Sequence, residues 1–339
     1  MPNTGTTLVL SRAAIAGRVR PLDYVDAVED AFRALAAGAI ESLPAAHVPG
    51  ERGAFHIKSA VAKDGTHRAA IKINGNFPGN PHANGLPTIQ GCIVLVDATD
   101  GRLLALMDSI EITAQRTAAA SVVAARHLAR ADSSTVALIG CGVQARHHLD
   151  SLLALPGFAL RALRLFDVDR ASAEALGAQA RTRGLEVTVD DAPGFACRHA
   201  DIVVTCTPSP QPILYAADVR SGTFIAAVGA DNPQKNEIAP DLMGTAHVVP
   251  DIIAQAAAMG DLRAAIAAGT MTVGDVHAEL ADIVARMRPG RTDDAETFIF
   301  DSTGTAIEDL VAANLIYERA LADPSSLRVA MNCADLPGR

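Results

Sequence analysis

The sequence contains no tryptophan, and aromatic residues of all kinds make up only 4% of its 339 residues. A packed interior must therefore be built from Ala, Val, Leu and Ile. Cysteine is also sparse. The five cysteines are odd in number, scattered, and form no CxxC pair or Cys/His cluster, so a metal site is not expected and a reduced, cytoplasmic setting is favoured. They are Cys92, Cys141, Cys197, Cys206 and Cys333.

Long apolar runs and dense basic runs are missing as well. No segment offers about 18 uninterrupted apolar residues, so no membrane span is expected. The opening MPNTGTTLVLSR lacks the apolar core and cleavage site of a signal peptide. The net charge is -9 and no Lys/Arg run has the density of a phosphate-backbone footprint, so nucleic acid is not an expected partner.

The residues that are present predict a globular protein of two domains, since 49% are hydrophobic and 20% charged. The first part mixes helical and strand-like patterns, which predicts an α+β domain. Its expected elements are an amphipathic helix over 21–40, strands AFHIKSAVA and HRAAIKING, an irregular loop GNFPGNPHANGLPT, a hairpin GCIVLVDATDGRLLALMD and an Ala-rich helix SIEITAQRTAAASVVAARHLAR.

The pattern changes at Asp132, after which short apolar strands alternate with helices. Such alternation predicts βαβ units and a parallel sheet, so the fold class is α/β with a Rossmann-type domain beside the α+β domain. The tail from about Phe298, with strand FIFDS and helix AIEDLVAANLIYERALA, is placed back against the first domain. The boundaries are set at 1–128 with 305–339, and 129–304.

A dinucleotide site is the strongest local signal. Strand TVALI runs into Gly140-Cys-Gly142-Val-Gln-Ala145, a GxGxxA turn that opens directly onto a helix. The first glycine permits the tight turn, the second lets backbone approach a pyrophosphate, and the small third residue lets helix and strand pack closely. Amides at a helix N-terminus then favour phosphate.

Two further segments support this site. Asp167 ends the second strand, where an acid accepts ribose hydroxyls and repels a 2′-phosphate, so NAD is favoured over NADP, although Arg170 lies close by. Without that role, Asp167 is a loop acid or helix cap. Thr205-Cys-Thr207-Pro follows strand DIVV, and either lines the cofactor crevice or forms an ordinary ST turn.

Four charged residues stand in apolar or glycine-rich surroundings: Lys58, Lys72, Arg116 and Asp231. A buried charge is costly without a partner, and an arginine on an Ala-rich helix can bind a carboxylate through two hydrogen bonds. Asp231 follows a strand end, a position suited to acid/base work. The alternatives are snorkelling lysines, a surface arginine and a turn aspartate. His56, on the strand of Lys58, is by default a structural histidine.

Several short motifs occur in the order found in the ornithine cyclodeaminase/mu-crystallin family, which the chain resembles over most of its length. They are G-L-P-T (85–88), L-A-L-M-D (104–108), I-T-x-x-R-T-A-A (112–119), I-G-C-G-V-Q-A (139–145), V-G-A-D (228–231) and D-S-T-G-T-A-x-E-D (301–309). The resemblance implies a central Rossmann domain, a substrate-binding and dimerisation domain made from both ends of the chain, NAD as cofactor, and a homodimer.

Motif matching also implies residue roles. Lys72 and Arg116 would hold a substrate α-carboxylate, and Asp231, with Lys72, would be catalytic. The remaining candidates for substrate binding are Lys58, His56 and Thr88. The candidates for cofactor binding are Gly140, Gly142, Val143, Gln144, Ala145, Asp167, Thr205, Thr207 and Thr117.

The sequence departs from the family pattern in two places. An arginine common in the family is absent from LPAAHVPG, where Ala45, Ala46 and His47 stand instead. In GAFHIK, where cyclodeaminases tend to carry an acid for ornithine's distal ammonium, His56 is found with Lys58 two residues later. Strand alternation puts both on one face, where they repel an ammonium and attract a carboxylate or another polar group.

Three functions remain open at this point. The first is an NAD(H)-dependent imine reductase or amino acid dehydrogenase, acting at the α-carbon of a small L-amino or imino acid with a possible acidic or polar side chain. The second is ornithine cyclodeaminase, which makes proline and ammonia with recycled NAD and is favoured by Asp231. The third is a non-catalytic binding protein, against which the set of Asp231, Lys72 and Arg116 argues.

Overall fold

The computed structural model describes residues 5–63 and 65–331, and for residues 81 and 82 the backbone alone. The chain divides into two compact units, Met1–Arg116 with Thr305–Arg339, and Thr117–Gly304. The observed division lies between residues 116 and 117. The expected boundary between 128 and 129 lies further along the chain, at the end of the Ala-rich helix. Cys333 lies outside the described residues.

The described residues form helices and strands whose order follows the sequence patterns. The helices are α1 Arg12–Ile15, α2 Pro21–Ala36, α3 Asn80–Asn84, α4 Ser109–Leu128, α5 Val143–Ala154, α6 Arg170–Arg181, α7 Pro193–Cys197, α8 Pro240–Met243, α9 Ile253–Met259, α10 Asp261–Ala267, α11 Leu280–Val284 and α12 Ala306–Leu321. The strands are β1 Thr6–Leu10, β2 Ile40–Ser42, β3 Ala46–Pro49, β4 Ala54–Ala62, β5 Arg68–Asn76, β6 Ile89–Asp97, β7 Leu103–Asp108, β8 Thr135–Ile139, β9 Ala162–Phe166, β10 Glu186–Val189, β11 Ile202–Thr205, β12 Phe224–Ala227, β13 His247–Pro250, β14 Phe298–Asp301 and β15 Arg328–Ala330.

The first unit contains a mixed sheet in the order β15-β1-β7-β6-β5-β4-β2, with β3 also paired to β4. Only β1 and β7 run parallel; the other described pairs are antiparallel. Helix α12 packs on this sheet and on α2. The hairpin expected from GCIVLVDATDGRLLALMD is confirmed as β6–β7. The loop expected before it contains the short α3, which Gly85 ends in the left-handed conformation, φ +65°.

The second unit contains seven parallel strands in the order β10-β9-β8-β11-β12-β14-β13. All its described strand pairs are parallel, which confirms the parallel sheet and the α/β fold class. The strand order reverses at β8, because β9 lies on one side of it and β11 on the other. In open α/β sheets, ligands bind outside the carboxyl ends of the strands at such a reversal.

The expected placement of the tail from Phe298 is wrong for its first part. FIFDS forms β14, which pairs with β12 and β13 inside the parallel sheet of the second unit. All four residues of β14 are buried, as expected of a strand that has a neighbour on each side in a parallel sheet. Only the part from Thr305 onward, with α12, belongs to the first unit.

Helix α4 is an Ala-rich helix of 20 residues. Its expected end at 130 is shortened to Leu128. None of the helices in the described part of the chain is long and apolar enough to cross a membrane.

Gly91 allows close contact between β5 and β6. A Cβ at this position would lie 2.8 Å from Asn74 Cα and within overlap distance of Ile73 O and Asn74 Oδ1. Gly91→Ala is therefore expected to lower the free energy of unfolding by about 1–3 kcal/mol, because neighbouring backbone must shift. The urea midpoint measures this effect.

Gly79→Ala is the matched control for this substitution. Gly79 has φ −75°, and a Cβ there would meet nothing within 4 Å. The control should therefore match or slightly exceed the wild-type midpoint. Equal midpoints for the two variants would contradict the strand contact at Gly91.

Candidate active site

The GxGxxA turn of the second unit connects β8 to α5. Gly140 adopts φ +90°, and its amide donates to Phe166 O at 2.9 Å. A Cβ on Gly140 would lie 3.0 Å from both Cys206 O and Thr207 Cγ2, so both the backbone angle and the space require glycine here. Ala145 is fully buried, which fits the close helix–strand packing expected of the third position.

The N-terminus of α5 fits a dinucleotide diphosphate. Gly142 is the N-cap residue, no side chain caps the helix, and a Cβ on Gly142 would meet nothing within 4 Å. Val143, in the first turn, is 51% exposed. Gln144 Oε1 is buried with no hydrogen-bond partner among the described residues. The turn thus combines open space with an uncapped helix end, as an anionic ligand would require.

Asp167 lies immediately beyond β9 and next to this turn. Its carboxylate accepts hydrogen bonds from the amides of Cys141 at 2.6 Å and Asp169 at 2.8 Å. These bonds orient the side chain, which is only half-buried. Arg170 contacts Asp191 at 2.6 Å, so its charge is already engaged by another carboxylate.

Thr205 and Thr207 are organised by a buried acid, Glu237. Its carboxylate accepts from Thr205 Oγ1 at 2.7 Å, from Thr207 N at 2.6 Å and Oγ1 at 2.7 Å, and from Gly229 N at 2.7 Å. The Ser209 amide donates to Thr207 Oγ1 at 3.2 Å, so the ST turn considered from the sequence is present. Glu237 therefore joins the loops that follow β11 and β12.

Glu237 belongs to a set of buried acids that accept backbone amides. Asp261 accepts from Glu237 N at 2.7 Å and Ile238 N at 3.1 Å, and Asp301 accepts from Leu262 N at 2.8 Å. Burial and the nearby Asp261 carboxylate raise the pKa of Glu237 to about 7. These acids fix loops at the carboxyl ends of the strands without any side-chain cation among the contacts described here.

Asp231 follows β12 through Val228, Gly229 and Ala230, and its side chain is 47% exposed. It contacts Lys235 Nζ at 2.8 Å and accepts from Asn232 Nδ2 at 3.0 Å. Its amide donates to Gly229 O at 3.0 Å, so the loop that Glu237 holds also carries Asp231. The position is accessible and its backbone is fixed.

In the first unit, Lys72 and Arg116 meet two acids of α12. Lys72 Nζ lies 2.5 Å from Asp309 Oδ2. Arg116 Nε donates to Asp309 Oδ1 at 3.0 Å, and its Nη1 donates to Glu308 Oε2 at 2.8 Å. Lys72 is 3% exposed and Arg116 5%. The lysine is therefore not a snorkelling residue, nor the arginine a surface residue.

The two acids are positioned by the start of α12. The amide and hydroxyl of Thr305 donate to Glu308 Oε1 at 3.0 and 2.8 Å in a capping box. Acids in a first helical turn are further stabilised by the helix dipole. One oxygen of Glu308 thus caps the helix while the other binds Arg116.

Burial acts on this cluster in opposite directions. It lowers the pKa of Lys72 to about 7, despite the contact with Asp309. It also favours the protonated form of Asp309, but Lys72 and Arg116 outweigh it and hold the pKa of Asp309 below its usual range. Burial opposes the charge of Arg116, but the carboxylates of Asp309 and Glu308 raise its pKa. Lys72 is therefore the member whose charge changes near neutral pH.

Lys58 and His56 share the sheet face of Lys72, as strand alternation predicts. Lys58 lies directly opposite Lys72, and His56 opposite Asn74, in the β4–β5 register. His47 on β3 pairs with His56, and the two rings meet edge to face with centroids 4.8 Å apart. Lys58 lowers the pKa of both Lys72 and Asp309, so its charge reaches the cluster.

Thr88 and Thr117, two further residues predicted to bind ligands, make backbone contacts. Thr88 immediately precedes β6, is half-buried, and its carbonyl accepts the Phe77 amide at 2.8 Å. Thr117 is buried on α4, and its carbonyl accepts the Ser121 hydroxyl at 3.3 Å.

Glu308, Asp309 and Glu237 were not among the residues singled out from the sequence. A signal existed for Glu308, since a threonine followed three residues later by glutamate is the capping-box pattern. Asp309 is the last residue of the family motif over 301–309, which marked the segment but gave this residue no role. Glu237 had no signal, because its partners belong to other loops of the chain. Arg116 and Asp309 are 193 positions apart.

Three solved structures are similar to this chain over nearly its whole length. An archaeal alanine dehydrogenase dimer with bound NAD has a TM-score of 0.92 and 34% identity, covering 96% of this chain and 99% of that one. The Thermococcus litoralis Δ1-pyrroline-2-carboxylate reductase with NADH and L-proline has a TM-score of 0.89 and 30% identity, covering 93% and 98%. The Paracoccus denitrificans iminosuccinate reductase with NAD+ has a TM-score of 0.88 and 28% identity, covering 96% and 99%.

These likenesses extend over both units and agree with the motif order in the sequence. Residues 6–323 match a single family along their whole length. The resemblance inferred from the motifs is confirmed, and the chain belongs to the ornithine cyclodeaminase/mu-crystallin family.

Proposed function

We propose that this protein is an NAD(H)-dependent oxidoreductase that transfers a hydride at the α-carbon of a small L-amino or imino acid, as an imine reductase or amino acid dehydrogenase. The observation that carries the proposal is the buried cluster of the first unit, in which Lys72 and Arg116 both contact Asp309.

Two cations held together in a buried site favour a carboxylate ligand, because its two oxygens can accept from Lys72 and Arg116 at once. This arrangement supports the assignment of Lys72 and Arg116 to the α-carboxylate.

The cofactor assignment rests on the turn after β8. Its open glycine and its uncapped helix fit a diphosphate, and the oriented carboxylate of Asp167 fits a ribose diol and repels a 2′-phosphate. The three similar structures hold NAD or NADH. Bound NADH supplies the hydride. Thr117, Thr205 and Thr207 remain proposed contacts, with Thr207 held in place by Glu237.

The chain's own residues supply positioning and a proton. Arg116 and Lys72 orient the substrate through its carboxylate. Asp231 is accessible on a fixed loop and is the proposed acid/base, and Lys72, with a pKa near 7, is the second candidate. In the reductive direction the imine carbon gains a hydride and the nitrogen gains a proton.

Ornithine cyclodeaminase is the less supported alternative. The structures compared above are named for dehydrogenase and reductase activities rather than for cyclodeamination. In addition, His56 stands where an acid was expected for the distal ammonium, with Lys58 on the same face. A lysine at this point repels a second cation.

Two further expectations belong to the proposal. A homodimer is supported by the dimeric form named for the archaeal relative. A reduced, cytoplasmic setting is supported by the free thiols of Cys92, Cys141, Cys197 and Cys206. Substrate binding and dimerisation by the first unit are proposed on the family resemblance.

The direct test combines 2-oxo acids with excess ammonia and follows NADH absorbance and amino acid formation. NADH consumption that depends on ammonia is expected. Asp231→Asn should lower kcat by about 100-fold or more, because a positioned acid/base contributes at least this much. Asp294→Asn, at an exposed loop position of the same unit, is the control and should retain activity. No ammonia-dependent consumption across a broad panel would refute the proposal.

Asp167→Asn keeps an oxygen for the Cys141 amide but removes the negative charge. The KM for NAD should rise, and the ratio of kcat/KM for NADP over NAD should increase by about tenfold, because repulsion of the 2′-phosphate is lost. Steady-state kinetics with both cofactors measure the ratio. An unchanged preference would show that Asp167 does not face the ribose.

Arg116→Lys keeps the charge but loses the planar fork that binds Glu308 and Asp309. We expect kcat/KM for the imino acid to fall by about 1.5–3 kcal/mol in transition-state free energy, with the KM for NADH little changed. Arg68→Lys is the control, because Arg68 contacts Glu318 and Asn314 on the same helix but outside the cluster. Equal kinetics for both variants would make Arg116 purely structural.

A further inference from the structure

Four strands of the second unit, β8, β11, β12 and β14, are consecutive neighbours in its parallel sheet. Their carboxyl ends therefore form one edge, and the loops that leave this edge carry the dinucleotide turn, Thr207 and Asp231. The proposed chemistry needs a hydride donor and an acid/base at fixed positions relative to each other. Contacts that join these loops to one another are therefore the ones that set this geometry.

Glu237 provides such a contact between the loops after β11 and β12. Its side chain is fully buried, and its two oxygens accept four hydrogen bonds. Oε1 accepts from the amide and the hydroxyl of Thr207 at 2.6 and 2.7 Å. Oε2 accepts from the Thr205 hydroxyl and from the Gly229 amide, both at 2.7 Å. Each loop thus donates a backbone N–H to one oxygen of the same carboxylate.

Close packing extends this restraint to the dinucleotide turn. Thr207 Cγ2 lies 3.0 Å from the position that a Cβ would take on Gly140, and Cys206 Sγ donates to Gly140 O at 3.2 Å. On the other side, a Cβ on Gly229 would lie 2.5 Å from Glu237 Cδ and within overlap distance of Thr207 O, so only glycine fits there. The loops after β8, β11 and β12 therefore pack against one another around this carboxylate.

The backbone of Glu237 is itself held in place. Its amide donates to Asp261 Oδ1 at 2.7 Å, and its carbonyl accepts the Ile213 amide at 2.8 Å. The amides of Asp261 and Leu262 in turn donate to the carboxylate of Asp301, the last residue of β14, at 3.2 and 2.8 Å. The side chain of Glu237 therefore extends from a backbone that is connected to the end of the fourth strand.

We infer that Glu237 is a positioning residue of the reaction, whose carboxylate holds the loop of Thr207 and the loop of Asp231 in a single arrangement. This inference rests on the proposed function, in which these loops hold NAD(H) and Asp231 is the acid/base. The connection to Asp231 is short, because its amide donates to Gly229 O at 3.0 Å while the Gly229 amide binds Glu237. Since Glu237 is fully buried, it acts through the loops rather than on the substrate.

The test replaces Glu237 by glutamine, which keeps the size and shape of the side chain. One acceptor oxygen becomes an NH2 group, which is a donor. Whichever oxygen is replaced, the new donor faces a backbone N–H, either that of Thr207 or that of Gly229, so one loop loses its anchor. The dissociation constant of NADH, measured by NADH fluorescence, should rise about tenfold and kcat should fall about tenfold, since a hydrogen bond to a buried charged group is worth this much.

Glu296→Gln is the matched control in the same unit. Glu296 also accepts from a threonine amide and hydroxyl, those of Thr292 at 2.7 and 3.1 Å, and from the Asp293 amide at 2.9 Å. Its loop precedes β14, at the opposite end of the strand from the functional loops. Both substitutions should lower the thermal midpoint, but only Glu237→Gln should change NADH binding and kcat. A purely structural role of Glu237 predicts unchanged kinetics in both folded variants.

A double-mutant cycle tests the connection to Asp231. Asp231→Asn alone should lower kcat by about 100-fold. In the Glu237→Gln background the same substitution should cost only about tenfold, because an acid/base that is already displaced contributes less. In the Glu296→Gln background the cost of Asp231→Asn should remain about 100-fold.

Glu237→Asp provides a second variant in case the glutamine substitution prevents folding, as judged by circular dichroism. It keeps the charge and both oxygens but is one methylene shorter, so it cannot reach both loops at the present distances. The dissociation constant of NADH should rise about threefold, less than in Glu237→Gln, because part of the contact is retained. Glu296→Asp is its control and should bind NADH as the wild type does.

The outcomes separate this inference from the proposed function. Weaker NADH binding, a lower kcat and a non-additive cycle support the inference. Wild-type NADH binding and kcat in folded Glu237→Gln, or the full 100-fold cost of Asp231→Asn in that background, overturns it and leaves the proposed function standing. No ammonia-dependent NADH consumption by the wild-type enzyme overturns the proposed function and, with it, the part of the inference that concerns Asp231.

Discussion

The first unit depends on a buried ion network at the start of α12. Charges removed from water are tolerated only when each contacts an opposite charge in good geometry. Here the buried cations and carboxylates are paired with one another. Asp309 lies between Lys72 and Arg116, and Glu308 shares its two oxygens between Arg116 and the cap of its own helix. Helix, sheet and site are therefore fixed by the same contacts.

The second unit also buries charged side chains at its functional end, but here the buried groups are carboxylates and their partners are backbone amides. Its loops at the strand ends leave backbone amides that must be satisfied, and buried acids accept them. Glu237 is the central case, because it connects Thr205, Thr207 and Gly229 and therefore the loops after two neighbouring strands. The predicted acid/base Asp231 is two residues beyond Gly229. Glu237 thereby fixes the loops that carry Thr207 and Asp231.

The chemistry proposed for the chain uses Lys72 and Arg116 to bind a carboxylate and the turn after β8 to bind a dinucleotide. Both correspond to motifs shared by the family, so neither distinguishes one member's substrate from another's. His47 and His56 are different, because they stand where the family pattern led us to expect an arginine and an acid. Substrate choice is therefore expected to depend on residues outside the shared motifs.

The sequence alone determined what short-range patterns encode. The turn after β8, the strand–helix alternation and the shared face of His56 and Lys58 all follow from spacing within a few residues, and the family motifs identified Lys72, Arg116 and Asp231 as candidates. The tertiary structure decided the rest: that β14 joins the parallel sheet, and that Asp309 and Glu237 are the partners of the predicted residues. The physical reason is distance along the chain. Strand order and ion pairing are settled by contacts between distant segments, such as Arg116 and Asp309, which are 193 positions apart, and no local pattern encodes which of many possible partners will meet.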